Sequence, residues 1–334
     1  MKILSNFESN SNKMIKKFFK CICIFVFLII LWSCQQDNKN NHIKIATLKG
    51  PSSMGMIKMI DSLNLSKNSN IEVKIYSEPL QIRKLMLENE IDCAILPTTM
   101  GAILYNKGIQ YKIAAIPVWG TLYLMGKDTT IYSWDDLKGK RIHLMAKGMT
   151  PEVLFKYLLN KNNISPHKDV ILDYSFPTHI DLANAVAANQ AELAVISEPM
   201  VSLVMQKNKT VVPLMDLNVE WKKVNQNIPI AQTAFMVQRA FANSNPAELS
   251  AILKAYEKST HWVNQNQEDA AKLFVKYNVL PNLDAGKSSI ARCNLQFEHI
   301  LDAKMHVNEY LKIFYNLNPV IVGNKIPDDN FYLN

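Results

Sequence analysis

From residue 43 onward the chain alternates between two hydrophobic periods. The stretch "IKIATL" at 43–48 is a β-branched run of strand type, and behind it Met56, Ile60 and Leu63 recur at helical spacing. Strand and helix patterns keep exchanging after that. This predicts an α/β fold on parallel-type sheets rather than a helical bundle or a sandwich.

Two segments answer each other at an offset of 100. "NEIDCAILPTTM" from Asn89 and "NQAELAVISEPM" from Asn189 share the Asn, an acid (Asp92, Glu192), Ala94 and Ala194, and the final Met100 and Met200. Helical patterns precede and follow both. A weaker echo pairs "LKGPS" at 48–52 with "AKGMT" at 146–150, each after a short aliphatic strand. The expectation is two lobes built alike: strand, Lys-Gly turn, helix, strand, helix, and a strand ending in Thr98-Thr99 or Ser197-Glu198.

In an open parallel sheet, ligands sit beyond the carboxyl ends of the strands, where helix N-termini present unpaired N–H groups. Gly50 would let a backbone approach closely, with Ser52 or Ser53 as the expected helix cap. Thr150 is the expected cap in the second turn, with Pro151 at the first helical position. Lys49 and Lys147 stand beside these turns, either solvated or facing a carboxylate. A plain strand-to-helix turn without ligand stays open for either one alone; it is the pairing that points to a two-sided cradle. Trp119-Gly120, where the chain is expected to leave the first lobe, either stacks on a planar ligand or fills the hinge.

Sharper chemistries fail on residue identity. Gly50 and Gly55 have the gap of a P-loop, but Met56 and Ile57 stand where Lys and Ser/Thr must grip phosphate and Mg²⁺. His143, His167, His179, His261, His299 and His306 show no metal-ligand spacing. Ser197-Glu198-Pro199 lacks the glycines of a nucleophile elbow. Cys93 reads as a mid-strand core residue, and no catalytic residue, metal or cofactor is expected.

The N-terminal 33 residues carry Lys13, Lys16, Lys17 and Lys20 before the apolar run 21–32, too short to span a bilayer and of signal-peptide type. The run closes on "LWSC", which resembles the lipobox of bacterial lipoproteins and implies lipidation of Cys34. Residues 34–42 read as a polar tether, of which 35–42 reach about 26 Å when extended. Loss of residues 1–33 removes five Lys and Glu8, so the net charge falls from +8 to +4. That is no nucleic-acid footprint. With Cys34 lipidated, only Cys93 and Cys293 remain, which excludes a disulfide framework.

Four stretches, "ATLKGPSSMGM", "DLKGKRIHLMAKGMTPEVLFKYLL", "AELAVISEP" and "NPVIVGNKIPDDNFYL", resemble the solute-binding lipoproteins of ABC importers, in the branch of taurine, sulfonate and thiamine-precursor binders. The resemblance implies a two-lobed type II periplasmic-binding fold, each lobe a parallel-type sheet flanked by helices. Lobe one would be 43–118 plus 234–334, with the C-terminal helices packed on it, and lobe two 119–233. It further implies a monomer, anchored outside the cytoplasm by lipid on Cys34, that delivers a small molecule to a permease and its ATPase. Ligand contacts would come from Gly50, Ser52, Ser53, Thr98, Thr99, Trp119, Gly148, Met149, Thr150, Glu198 and Gln232. Glu198 among helix N-termini implies a zwitterionic or heteroaromatic ligand whose amine it meets; the Arg that the family places in lobe two has no identified counterpart. Other expectations from the same fold are an enzyme of thiamine-pyrimidine synthesis, which needs a His at a strand-end turn, and a surface interaction lipoprotein.

Overall fold

The computed structural model describes residues 42–66, 69–145 and 147–333. The expected signal segment, Cys34 and the tether up to residue 41 lie outside the described residues. Among the described residues no helix is long and apolar enough to cross a membrane.

The chain enters as β1 (Ile43–Leu48), α1 (Pro51–Leu65), β2 (Ile71–Tyr76), α2 (Pro79–Leu87), β3 (Cys93–Pro97) and α3 (Thr98–Asn106). Next, β4 (Tyr111–Trp119) leads into β5 (Leu122–Gly126). The first series then recurs as β6 (Arg141–His143), α4 (Thr150–Lys161), β7 (Ile171–Asp173), α5 (His179–Ala187), β8 (Leu193–Ser197) and α6 (Met200–Lys207). Both α2 and α5, and likewise β3 and β8, start 100 residues apart, and each of these helices is followed by an asparagine in the left-handed region, Asn89 at φ 54° and Asn189 at φ 62°. The sequence repeat is therefore a structural one.

The remainder is β9 (Val212–Asp216), α7 (Leu217–Val224), β10 (Ala231–Gln238), α8 (Arg239–Ser244), α9 (Pro246–Gln265), α10 (Gln267–Lys276), α11 (Leu283–Ile290), β11 (Leu295–His299) and α12 (Ile300–Leu317). One sheet has the order β11-β4-β10-β3-β1-β2 and the other β7-β6-β8-β5-β9. Each has a parallel nucleus, β2-β1-β3 and β7-β6-β8. The other neighbours run antiparallel, so the sheets are mixed. Crossing strands cause this: β4 passes into β5 through Gly120-Thr121 and β10 returns from the other side, so that β10 pairs against β3 and β5 against β8. Strand β3, inside the sheet between β10 and β1, is buried along Cys93 to Leu96. Cys93 opens that strand rather than lying in its middle.

An apolar core runs without a break from Leu96, Ile113 and Ile116 on the first sheet, through Trp119 and Leu122, to Leu124, Phe155 and Trp221 beside the second. Trp221 of α7 lies 5.9 Å from both Tyr310 and Phe314 of α12 between ring centroids. Helix α12 presents Ile300, Ala303, Val307, Tyr310, Leu311 and Phe314 on one buried stripe to make this join. Residues 43–334 accordingly form one compact unit.

Candidate functional site

Four strand-end turns converge between the sheets. Gly50, after β1, lies against Pro199, after β8, with the ring Cδ 3.5 Å from where a Cβ on Gly50 would stand. The hydroxyls of Thr99, after β3, and Thr150, after β6, are 2.9 Å apart. Helix N-termini α1, α3, α4 and α6 thus share one region, and their free N–H groups make it favourable for negative charge.

Local chemistry explains each turn, with corrections to the expected caps. Helix α1 begins at Pro51, and its N-cap is Gly50 rather than Ser52 or Ser53. Gly50 adopts φ 118° and ψ −145°, a conformation open essentially only to glycine. Ser53 closes the turn by accepting from the Gly50 N–H at 3.1 Å and donating to its carbonyl at 3.0 Å. The Ser52 hydroxyl reaches Thr233 at 3.4 Å, and its carbonyl accepts from the buried Tyr256 hydroxyl at 2.7 Å. In the second turn Met149, not Thr150, is the N-cap, while Gly148 sits at φ 80° and donates its N–H to Glu152. Burial works to raise the Glu152 carboxyl, but Lys156, Tyr174 and the Gly148 N–H outweigh it and hold the group below its ordinary value. Lys147 is turned onto the Tyr174 ring, 5.1 Å from its centroid. Thr98 is fully buried, and its hydroxyl has no hydrogen-bond partner among the described residues.

Glu198 departs most from expectation. Its carboxylate is buried and already paired: Arg292 Nε donates at 2.6 Å, the Ser202 hydroxyl at 2.9 Å and the Ser202 N–H at 3.1 Å. Arg292 also donates from its terminal nitrogen to the Ser202 hydroxyl at 2.7 Å. Burial pushes the Glu198 carboxyl up, against the pull of Arg292 and Ser202. Glu198 is therefore not free to receive a ligand amine. Arg292 comes from the segment between α11 and β11. It ties the first sheet's helices to the second sheet, together with reciprocal amide bonds between Gln206 and Asn282 at 3.0 and 2.9 Å.

Two expected contacts, Gln232 and Trp119, are already engaged within the protein. Gln232 accepts from the Thr121 N–H at 2.7 Å and donates to the Thr121 hydroxyl at 2.8 Å, clamping the two crossovers to each other. Trp119 is buried, with its indole N–H on the Gln296 carbonyl at 3.0 Å and its ring edge-on to His306. It lines a separate pocket of about 490 Å³ with Asn218, Lys222, Glu298 and His306.

A histidine overlooked in the sequence stands at the site. His179 is the first residue of α5, and its Nδ1 lies 3.4 Å from the hydroxyl of Ser197 at the end of β8. The residue is exposed, and lost hydration nonetheless pushes its pKa down to about 4. The signal was available: the offset of 100 maps His179 onto Pro79, the first residue of α2. His143 is the last residue of β6, but it is buried against Asp173 and Phe176. Among the described residues no group of three His, Cys, Asp or Glu side chains is placed to hold a metal ion.

A family model described as NMT1/THI5 like matches residues 67–270. YtlA of Bacillus subtilis strain 168, named as a binding protein, is 22% identical over 306 residues, covering 90% of this chain and 89% of its own length. The crystal structure of an ABC transporter protein from Parabacteroides distasonis superposes with TM-score 0.75 at 26% identity, covering 88% of this chain and 99% of that one. The periplasmic aliphatic sulphonate binding protein SsuA from Escherichia coli superposes with TM-score 0.67 at 17% identity, over 86% of this chain and 92% of that one.

Proposed function

The chain belongs to the NMT1/THI5-like family, and from that membership we propose that it is the solute-binding component of an ABC importer, working outside the cytoplasm. It captures one small polar molecule between two lobes, 43–118 with 234–334 and 119–233, and delivers it to a permease. The observation that carries this reading is the meeting of four strand-end turns from two sheets, through Gly50 and Pro199 on one side and Thr99 and Thr150 on the other. The names of the relatives, a binding protein, an ABC transporter protein and a sulphonate binder, support it.

The ligand is held by the unpartnered Thr98 hydroxyl, the first N–H groups of α3 and α4, and His179 beside Ser197. Ser52, Thr99, Gly148, Met149 and Thr150 surround them. Because Arg292 neutralises Glu198, the ligand needs no amine. The helix ends favour an electron-rich or anionic group, each contributing about 0.3–1 kcal/mol. Lipid on Cys34 tethers the protein to its membrane.

The second reading, an enzyme, has a foothold in His179. One experiment separates the two: mass spectrometry of the small molecule that co-purifies, repeated after long incubation. A binding protein returns the molecule unchanged at about one per chain; a modified product moves the function to catalysis.

A further inference from the structure

A pocket of about 320 Å³ opens at the end of the first sheet opposite the strand-end turns. Its wall includes Lys112, Arg239 and Lys325 together with Tyr105, Gln110 and Asp328. None of the three cations forms an ion pair among the described residues. Lys112 Nζ reaches only the Tyr332 carbonyl, at 3.4 Å, and Arg239 only the Gln110 side chain, at 3.5 Å. Elsewhere lysines pair locally, as Lys84 with Glu88, Lys138 with Asp135 and Lys272 with Asp269. The single carboxylate in the wall, Asp328, accepts from the Tyr105 hydroxyl at 2.5 Å and the Asn330 N–H at 2.9 Å, which hold it below the ordinary range. Two positive charges stay uncompensated in a concave site.

The topology says what meets them. The Asp92 N–H donates to the Lys44 carbonyl at 2.9 Å, the Gln238 N–H to the Asp92 carbonyl at 2.8 Å, and the Arg239 N–H to the Gln110 carbonyl at 2.9 Å. These bonds step across β1, β3, β10 and β4, so the point where the chain arrives from residues 1–42 lies about 15 Å from the pocket, three strand spacings.

We infer that this pocket seats the phosphate of an anionic lipid headgroup on the membrane that carries the protein. A phosphodiester offers compact acceptor oxygens to a guanidinium and two ammonium groups. A lipid on Cys34 with a tether of about 26 Å keeps the pocket close to such headgroups. This rests on the lipid-anchor reading above. The consequence is orientation: this sheet end lies on the bilayer, and the strand-end turns at the other end stay clear for ligand entry.

The test uses the full chain carrying Cys34→Ser, sedimented with vesicles of phosphatidylcholine alone or mixed with phosphatidylglycerol. Each uncompensated charge near an anionic surface is worth about fivefold, so binding to the mixed vesicles should be about 30-fold tighter. Lys112→Gln/Arg239→Gln/Lys325→Gln should abolish that excess and leave binding to phosphatidylcholine unchanged. A control, Lys84→Gln/Lys138→Gln/Lys272→Gln, should retain most of it. Equal loss in both triple variants, or no preference for phosphatidylglycerol in the parent, overturns the inference. So does phosphorus-31 evidence that the pocket binds inorganic phosphate without any preference for phosphatidylglycerol. Failure of the anchor itself is seen separately, as Cys34→Ala protein that stays with cell membranes.

Discussion

Arg292→Met isolates the ion pair that joins the two sheets. The Glu198 side chain is wholly buried, whereas 26% of the Arg292 side chain remains exposed. Removing one partner of a buried pair costs about 3–5 kcal/mol, chiefly because a charge is left without its counter-ion. Solvent screens part of this at the exposed edge of the guanidinium, and Ser202 still donates two hydrogen bonds to the carboxylate. The expected loss is therefore about 2–3 kcal/mol at neutral pH. The sign of its pH dependence follows from Glu198. Its carboxyl is raised in the folded state, so ionisation opposes folding as pH climbs through the ordinary value of 4.5 toward the folded one. Without Arg292 the carboxyl rises further. The variant's deficit should be largest at neutral pH and shrink as pH falls toward 4.5, where a protonated Glu198 needs no counter-charge. Urea unfolding followed by tryptophan fluorescence, for parent and variant at both pH values, measures the difference. Arg292→Met/Glu198→Gln should recover more than half of the loss. A deficit below about 0.5 kcal/mol at neutral pH, within ordinary surface effects, or one that is equal at both pH values, refutes the reasoning.

Gly50→Val should cost about 1–3 kcal/mol from its backbone conformation alone and abolish the thermal shift given by the bound solute; an unchanged shift would remove this turn from the site. The His179 imidazole should titrate near 4 in a nuclear magnetic resonance experiment, and a midpoint near 6.5 would mean that its ring is hydrated. Cys34→Ala should release the protein from the membrane fraction, since a polar tether without acyl chains has no bilayer affinity. Persistence after a salt wash contradicts the lipid anchor.

The repeat was legible because it rests on local pattern. Strands β3 and β8 are short buried runs, and the turns before them need the same left-handed asparagine, so residue type survives in both copies. The mixed pairing was not legible, because β5 and β10 take their direction from the crossovers rather than from periodicity. Arg292 was missed for a related reason: its partner Glu198 is 94 residues away, and no spacing rule links them. Composition held a hint, since this lysine-rich chain has only four arginines, Arg83, Arg141, Arg239 and Arg292. At least two of these form ion pairs across segments, as Arg141 does with Asp173. Glu198 was recognised by position, but its burial and pairing are tertiary facts. Trp119 ends β4, just before the chain passes into the second sheet, and its two readings differed only in what lay opposite the ring.

Small-angle X-ray scattering of the protein stripped of solute, and again at proven stoichiometric saturation, tests the two-lobed binding account most directly. On the proposed two-lobed reading, the contacts between Thr99 and Thr150 and between Arg292 and Glu198 would belong to a closed form, with Thr121 and Gln232 holding the crossovers about which it would open. The account predicts a larger radius of gyration without solute and compaction on binding. An identical radius in both states, with saturation confirmed by calorimetry, would contradict it.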